Sequence, residues 1–121
     1  MKIKGIDYVM YKVSDLKKSI VFYEKTLGLK LDSSGEGWAE FTVGNLALVL
    51  GSWEFDAKKA GCGNGVALAV DDVAAALAEL KKKGVKVEGD VWETPVCKGG
   101  TILDPDGNKI YLHKRDDESF G

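Results

Sequence analysis

Tyr8-Val9-Met10-Tyr11-Lys12-Val13-Ser14-Asp15-Leu16 and Gly65-Val66-Ala67-Leu68-Ala69-Val70-Asp71-Asp72-Val73 are the two stretches that decide the fold. Each opens on a short run with β-branched residues and period-two alternation, the pattern of a buried strand. Each then reaches a pair of short oxygen side chains, Ser14-Asp15 or Asp71-Asp72, that can cap the free N–H groups of a helix start. The second stretch lies 57 positions after the first, so the chain contains an internal repeat.

Outward from these stretches the two halves keep step. Leu16, Ile20 and Tyr23 recur at i, i+4 and i+7, and Val73, Leu77 and Leu80 repeat the spacing, which gives each helix one apolar stripe. Lys25 in one half and Lys81-Lys82-Lys83 in the other suit the negative pole of a helix, and Gly28 and Gly84 supply its stop. Alternating strands follow at Leu29-Lys30-Leu31 and Val85-Lys86-Val87, and then a hairpin in each half. In the second hairpin Asp104-Pro105-Asp106-Gly107-Asn108 forms the turn before a strand from Lys109 to Lys114. In the first, Gly44-Asn45 opens Leu46 to Leu50, and matching Gly44 to Gly107 pairs Leu48 with Tyr111.

The expected fold class is therefore α+β: two tandem βαβββ modules forming an open, cleft-enclosing mixed β-sheet with helices on the outer face. A single domain over residues 1–121 is expected, with module 1 at about 1–50, a Gly-rich linker at about 51–64, module 2 at about 65–114 and a frayed charged tail at 115–121.

Composition narrows the function. Seventeen Lys and Arg against 19 Asp and Glu leave a net charge of −2, which offers no general attraction to nucleic acid or anionic lipid. Neither an apolar leader nor a run of ~20 apolar residues is present, so a cytoplasmic protein without a membrane partner is expected. Cys62 and Cys97 share no metal-type spacing and read as free thiols, although only geometry decides whether two cysteines bridge.

The stretch from Ile6 to Leu16, then Phe22-Tyr23-Glu24-Lys25-Thr26-Leu27-Gly28-Leu29, together with Val66 to Val73 and Asp104 to Asn108, resembles the vicinal oxygen chelate superfamily of glyoxalases, bleomycin-resistance proteins and dioxygenases. Metal-using members of that superfamily place a His, Gln or Glu on the first and fourth strands of each module, facing a divalent ion. Here the aligned positions are Tyr8, Leu48, Gly65 and Tyr111. Leucine and glycine have no side-chain donor, and a phenol is protonated near neutral pH and is an uncommon ligand for such ions. The expectation is a metal-lacking member with no cofactor.

Tyr8, Met10 and Tyr111 should face the cleft with Trp38 nearby, which suits a flat or partly apolar ligand; alternatively these side chains fill the space and leave no pocket. The expected ligand-contacting set is Tyr8, Met10, Trp38, Glu40, Leu48, Gly65, Tyr111 and His113, with Trp53 and Trp92 at the rim beside loops. Glu36, Glu40, Glu54, Asp56 and Glu93 could form an acidic rim, but Lys58, Lys59 and Lys98 intersperse the opposite sign.

No catalytic residue is expected, Glu40, His113 and Tyr8 being the groups that could do acid/base work in a desolvated cleft, and no nucleophile elbow, phosphate-binding loop or paired redox cysteines occur. Three readings follow. The first is a metal-free protein that sequesters a small molecule as bleomycin-resistance proteins do, leaning away from an enzyme. The second is a glyoxalase-related lyase, isomerase or epimerase using an unusual metal or side-chain acid/base chemistry. The third is a non-catalytic interaction module. Resemblance to the family also implies a homodimer.

Overall fold

A computed structural model describes every residue except Ile3, Gly5, Glu54, Ala60, Cys62, Gly63, Asn64, Phe120 and Gly121. The expected βαβββ repeat is present, in two compact units, Met1–Ala60 and Gly61–Gly121, with the division inside the linker. The first unit contains β1 (Tyr8–Lys12), α1 (Leu16–Val21), a π-helical turn (Phe22–Thr26), β2 (Lys30–Gly35), β3 (Trp38–Val43) and β4 (Leu46–Gly51). A short 3₁₀ turn at Ala57–Lys59 lies in the linker. The second contains β5 (Val66–Ala69), α2 (Val73–Lys82), β6 (Lys86–Glu93), β7 (Cys97–Leu103) and β8 (Lys109–Arg115).

Each unit builds one open four-stranded mixed sheet, ordered β1-β4-β3-β2 or β5-β8-β7-β6. The first strand runs parallel to the fourth, and the remaining pairs are antiparallel. One helix covers one face of each sheet: α1 lies against β3 and β4, and α2 against β6, β7 and β8.

The caps are where the sequence places them. Asp15 accepts a hydrogen bond from the Lys18 N–H at 3.1 Å, and Asp72 accepts one from the Ala75 N–H at 3.0 Å. α2 buries Val73, Leu77 and Leu80, the predicted stripe. α1 is shorter than its apolar spacing predicts. After Val21 the backbone widens into the π turn, where the Leu27 N–H reaches the Phe22 carbonyl at 2.9 Å, five residues back. Tyr23, near the start of this turn, lies in the core, edge-on to Phe22 and against Phe41, while Leu16 and Ile20 stay half-buried.

The helix-covered faces hold Val13, Tyr23, Phe41 and Leu50 in one unit and Ile102 and Ile110 in the other, all fully buried. Each such side chain stabilises its unit by roughly 1.5–3 kcal/mol. β1 and β5 are not buried strands, as their apolar runs suggested: β5 alternates between half-buried and exposed residues, and β1 keeps Tyr8 and Met10 exposed. The charged tail is likewise not frayed as far as Ser119. β8 extends to Arg115, and Asp117 accepts hydrogen bonds from the Ser119 hydroxyl (2.6 Å) and N–H (2.9 Å). That hydroxyl, followed by the N–H, holds the Asp117 carboxyl below its ordinary range.

Candidate functional site

Strand register assigns the side chains that share each open face, because partners across a sheet project to the same side. In the first unit Ser33, Glu40, Val49 and Met10 stand in one row across β2, β3, β4 and β1. A second row runs Gly35, Trp38, Gly51 and Lys12, and a third runs Lys30, Thr42, Ala47 and Tyr8. Tyr8, Met10, Trp38 and Glu40 thus occupy one face, as the alternation predicts. Tyr8 is 55% and Met10 38% exposed, so on this face the large side chains do not form packed core.

Leu48 does not belong to that face. It is 3% exposed, on the helix-covered side with Val9 and Phe41 as its strand partners. Turn length explains the slip. Two residues, Gly44-Asn45, join β3 to β4, whereas five, Asp104 to Asn108, join β7 to β8, so matching Gly44 to Gly107 slides β4 by one place. A slip of one residue moves every side chain to the opposite face.

Register gives the correct match. Met10 and Ala67 are equivalent, and their partners are Val49 and Tyr111. The next hydrogen bonds agree: the Val13 N–H donates to the Gly51 carbonyl and the Val70 N–H to the His113 carbonyl, both at 3.0 Å. Val49 therefore takes the position first given to Leu48.

In the second unit one open-face row holds Ala67, Tyr111, Thr101 and Glu88, and the next holds Ala69, His113, Gly99 and Trp92. His113 and Tyr111 share a face, as their separation predicts. Trp92 is not beside a loop but within β6, its ring 6.0 Å from that of His113. A Glu88–Lys109 ion pair at 3.2 Å stands on the same face, and Gly65 lies just before β5 under the Tyr111 ring.

All three tryptophans lie on glycines. A β-carbon on Gly35 would collide with Trp38, one on Gly51 with Trp53, and one on Gly99 with Trp92. The bare backbone lets each indole lie down on its strand. Trp53 is also covered by the Lys12 ammonium, 4.1 Å from its ring centroid, and the same ammonium donates to the Trp53 carbonyl at 2.8 Å.

Glu40 is the half-buried acid of the first face, with the Ser33 hydroxyl 3.5 Å from its carboxylate and Val49 and Met10 along its row. Spacing alone did not single out Ser33, Thr101 or Val49, which emerge only from pairing. Of the acidic rim, Glu93 is 4.0 Å from Lys98, Asp56 caps the Ala57–Lys59 turn through the Lys58 N–H, and Glu54 lies outside the described residues. Cys97 is a free thiol within 3.0 Å of the Thr94 hydroxyl, and Cys62 lies outside the described residues.

Residues 5–112 match the family model of the Glyoxalase/Bleomycin resistance protein/Dioxygenase superfamily. The chain belongs to that superfamily. It is 32% identical to the lactoylglutathione lyase of Escherichia coli O157:H7 over 94% of this chain and 95% of that protein. It is 29% identical to the metallothiol transferase FosB of Lysinibacillus sphaericus over 93% and 84%. Among solved structures it is similar to TnmS3, an antibiotic binding protein from Streptomyces sp. CB03234, with a TM-score of 0.79 and 34% identity over 96% of this chain and 99% of that one.

The two curated relatives bear enzyme names and are matched over almost the whole chain, which overturns the expectation of a sequestering protein that changes no bonds. The leaning away from an enzyme is corrected by the same finding. The strand positions at which metal-using members of the family place ligands do not fit an ion in either unit: they hold Tyr8 and Val49 in the first and Gly65 and Tyr111 in the second, with no imidazole or carboxylate. No cluster of three or more His, Cys, Asp or Glu suited to an ion occurs among the described residues. No helix among them is long and apolar enough to cross a membrane.

Proposed function

We propose that this superfamily member is a glyoxalase-related enzyme, a lyase or isomerase that moves a proton on a small carbonyl compound with its own side chains. Glu40 is the base in this reading. The observation that carries it is the half-buried Glu40 carboxylate on an open face, beside the apolar Val49 and Met10 and within reach of one hydroxyl. A carboxylate so placed accepts a proton from carbon next to a carbonyl. In the second unit, taken by itself, His113 stands beside Trp92 and Tyr111 on the open face.

The substrate class is a thiol adduct, for which support comes from the relatives' names, lactoylglutathione lyase and metallothiol transferase. Tyr8, Met10 and Trp38 give its less polar part a surface to lie on within the first unit, with Trp53 at the margin, and Tyr111 and Trp92 form an aromatic surface of the second unit by themselves. The protein works as a homodimer in this reading, which rests on the family's habit of pairing; β1, β2, β5 and β6 are the outermost strands of the two sheets.

The test is turnover by protein stripped with a chelator, offered lactoylglutathione and a panel of thiol adducts of 2-oxoaldehydes while the thioester absorbance is followed. Wild type should turn over at least one of them, and Glu40→Gln should lower kcat by about 100- to 10,000-fold with unchanged circular dichroism. Wild-type protein inert toward the whole panel, with and without added divalent ions, would sink the proposal.

A further inference from the structure

Gly65 and Tyr111 occupy the two places at which metal-using relatives draw ligands from the second unit. They are not two separate losses. A β-carbon on Gly65 would stand 2.5 Å from Cε2 and 3.1 Å from Cδ2 of the Tyr111 ring, and 3.3 Å from the Lys109 carbonyl oxygen. The φ of Gly65 is +98°, a conformation that side chains rarely adopt.

We infer that Gly65 and Tyr111 are a fitted pair that closes the second unit's half of the metal position, so that this unit contributes no ligand to an ion there. Two independent barriers maintain the closure. Moving the ring would relieve the first contact, but the Lys109 carbonyl belongs to the backbone of β8 and the left-handed φ belongs to the chain's entry into β5. A histidine or glutamate at position 65 meets both, and a carboxylate at position 111 removes only the ring. The equivalent strand positions of the first unit, taken by themselves, offer no ligand set either, since Val49 has no donor atom and Tyr8 supplies a single phenol. This inference does not depend on which reaction the chain carries out.

The closing experiment reads metal and stability, not activity. Wild-type protein is stripped with a chelator, equilibrated separately with Co²⁺, Ni²⁺, Zn²⁺ and Mn²⁺, desalted and analysed for metal, with thermal melts recorded beside each. No stoichiometric retention and no rise in melting temperature are expected. Retention unaffected in Tyr8→Phe and Tyr111→Phe would place an ion elsewhere and leave the closure standing. One ion per chain that is lost in Tyr111→Phe overturns it.

A second arm tests the fit itself. Gly65→Ala should lower the melting temperature by several degrees, and Tyr111→Ala should cost less in the Gly65→Ala background than in wild type. Costs that simply add would show that the ring and the glycine are not fitted to each other. Should Gly65→Ala fail to fold, the metal arm on wild type and the tyrosine variants still decides the question.

Discussion

At the residue scale the hairpin turn at Asp104 illustrates how much one buried carboxylate can organise. Asp104 is buried with Asn108; its Oδ1 accepts from the N–H groups of Asp106 (2.9 Å) and Asn108 (2.8 Å), and its Oδ2 accepts from the Asn108 side-chain amide (2.9 Å). Removing it leaves two backbone donors and an amide to find other partners in a place that water barely reaches. Asp104→Ala should therefore lower unfolding stability by about 2–4 kcal/mol in a urea titration. The turn residues themselves were legible in the sequence as Asp-Pro-Asp-Gly-Asn. What was not legible was the length difference from Gly44-Asn45, and that difference moved Leu48 off the open face and put Val49 on it.

Elements were easier to read than their ends. Both helix starts could be predicted because an aspartate at the N-cap has a local task, to accept from an N–H three residues on, and no distant contact is needed to see it. Asp72→Ala should lower stability by about 1 kcal/mol, measurable as a modest shift of the denaturation midpoint without change of slope. The end of α1 was hidden. Its π turn is a local widening after Val21, and a periodicity of 3.6 does not register it. β6 is similar: the alternation Val85-Lys86-Val87 predicts three residues, yet the strand runs through a register shift to Glu93 and brings Trp92 beside His113. The candidate site was legible as residue types and strand parity, whereas its rows depended on pairings that join residues far apart in the chain.

For the whole molecule the repeat carries most of the information. Two units with the same strand order arise from one pattern written twice, and the offset of 57 in the opening strands holds in the hydrogen bonds of Val13 and Val70. The proposed homodimer is checked at this scale. Sedimentation should give twice the 13.1 kDa of the chain, and the melting temperature should rise with protein concentration, as it does when folding is coupled to association. A monomer at every concentration, with a constant melting temperature, would remove the dimer from the account and leave the proposed chemistry untouched.

The seating of each indole on a bare strand has one more consequence. Trp38, Trp53 and Trp92 are 38%, 44% and 38% exposed, each with a ring against a glycine, and they are the chain's only tryptophans. Their ultraviolet emission is thus a built-in gauge: a compound settling on either bare sheet surface dims or shifts the glow of Trp38 or Trp92, and replacing one indole at a time tells which half was touched.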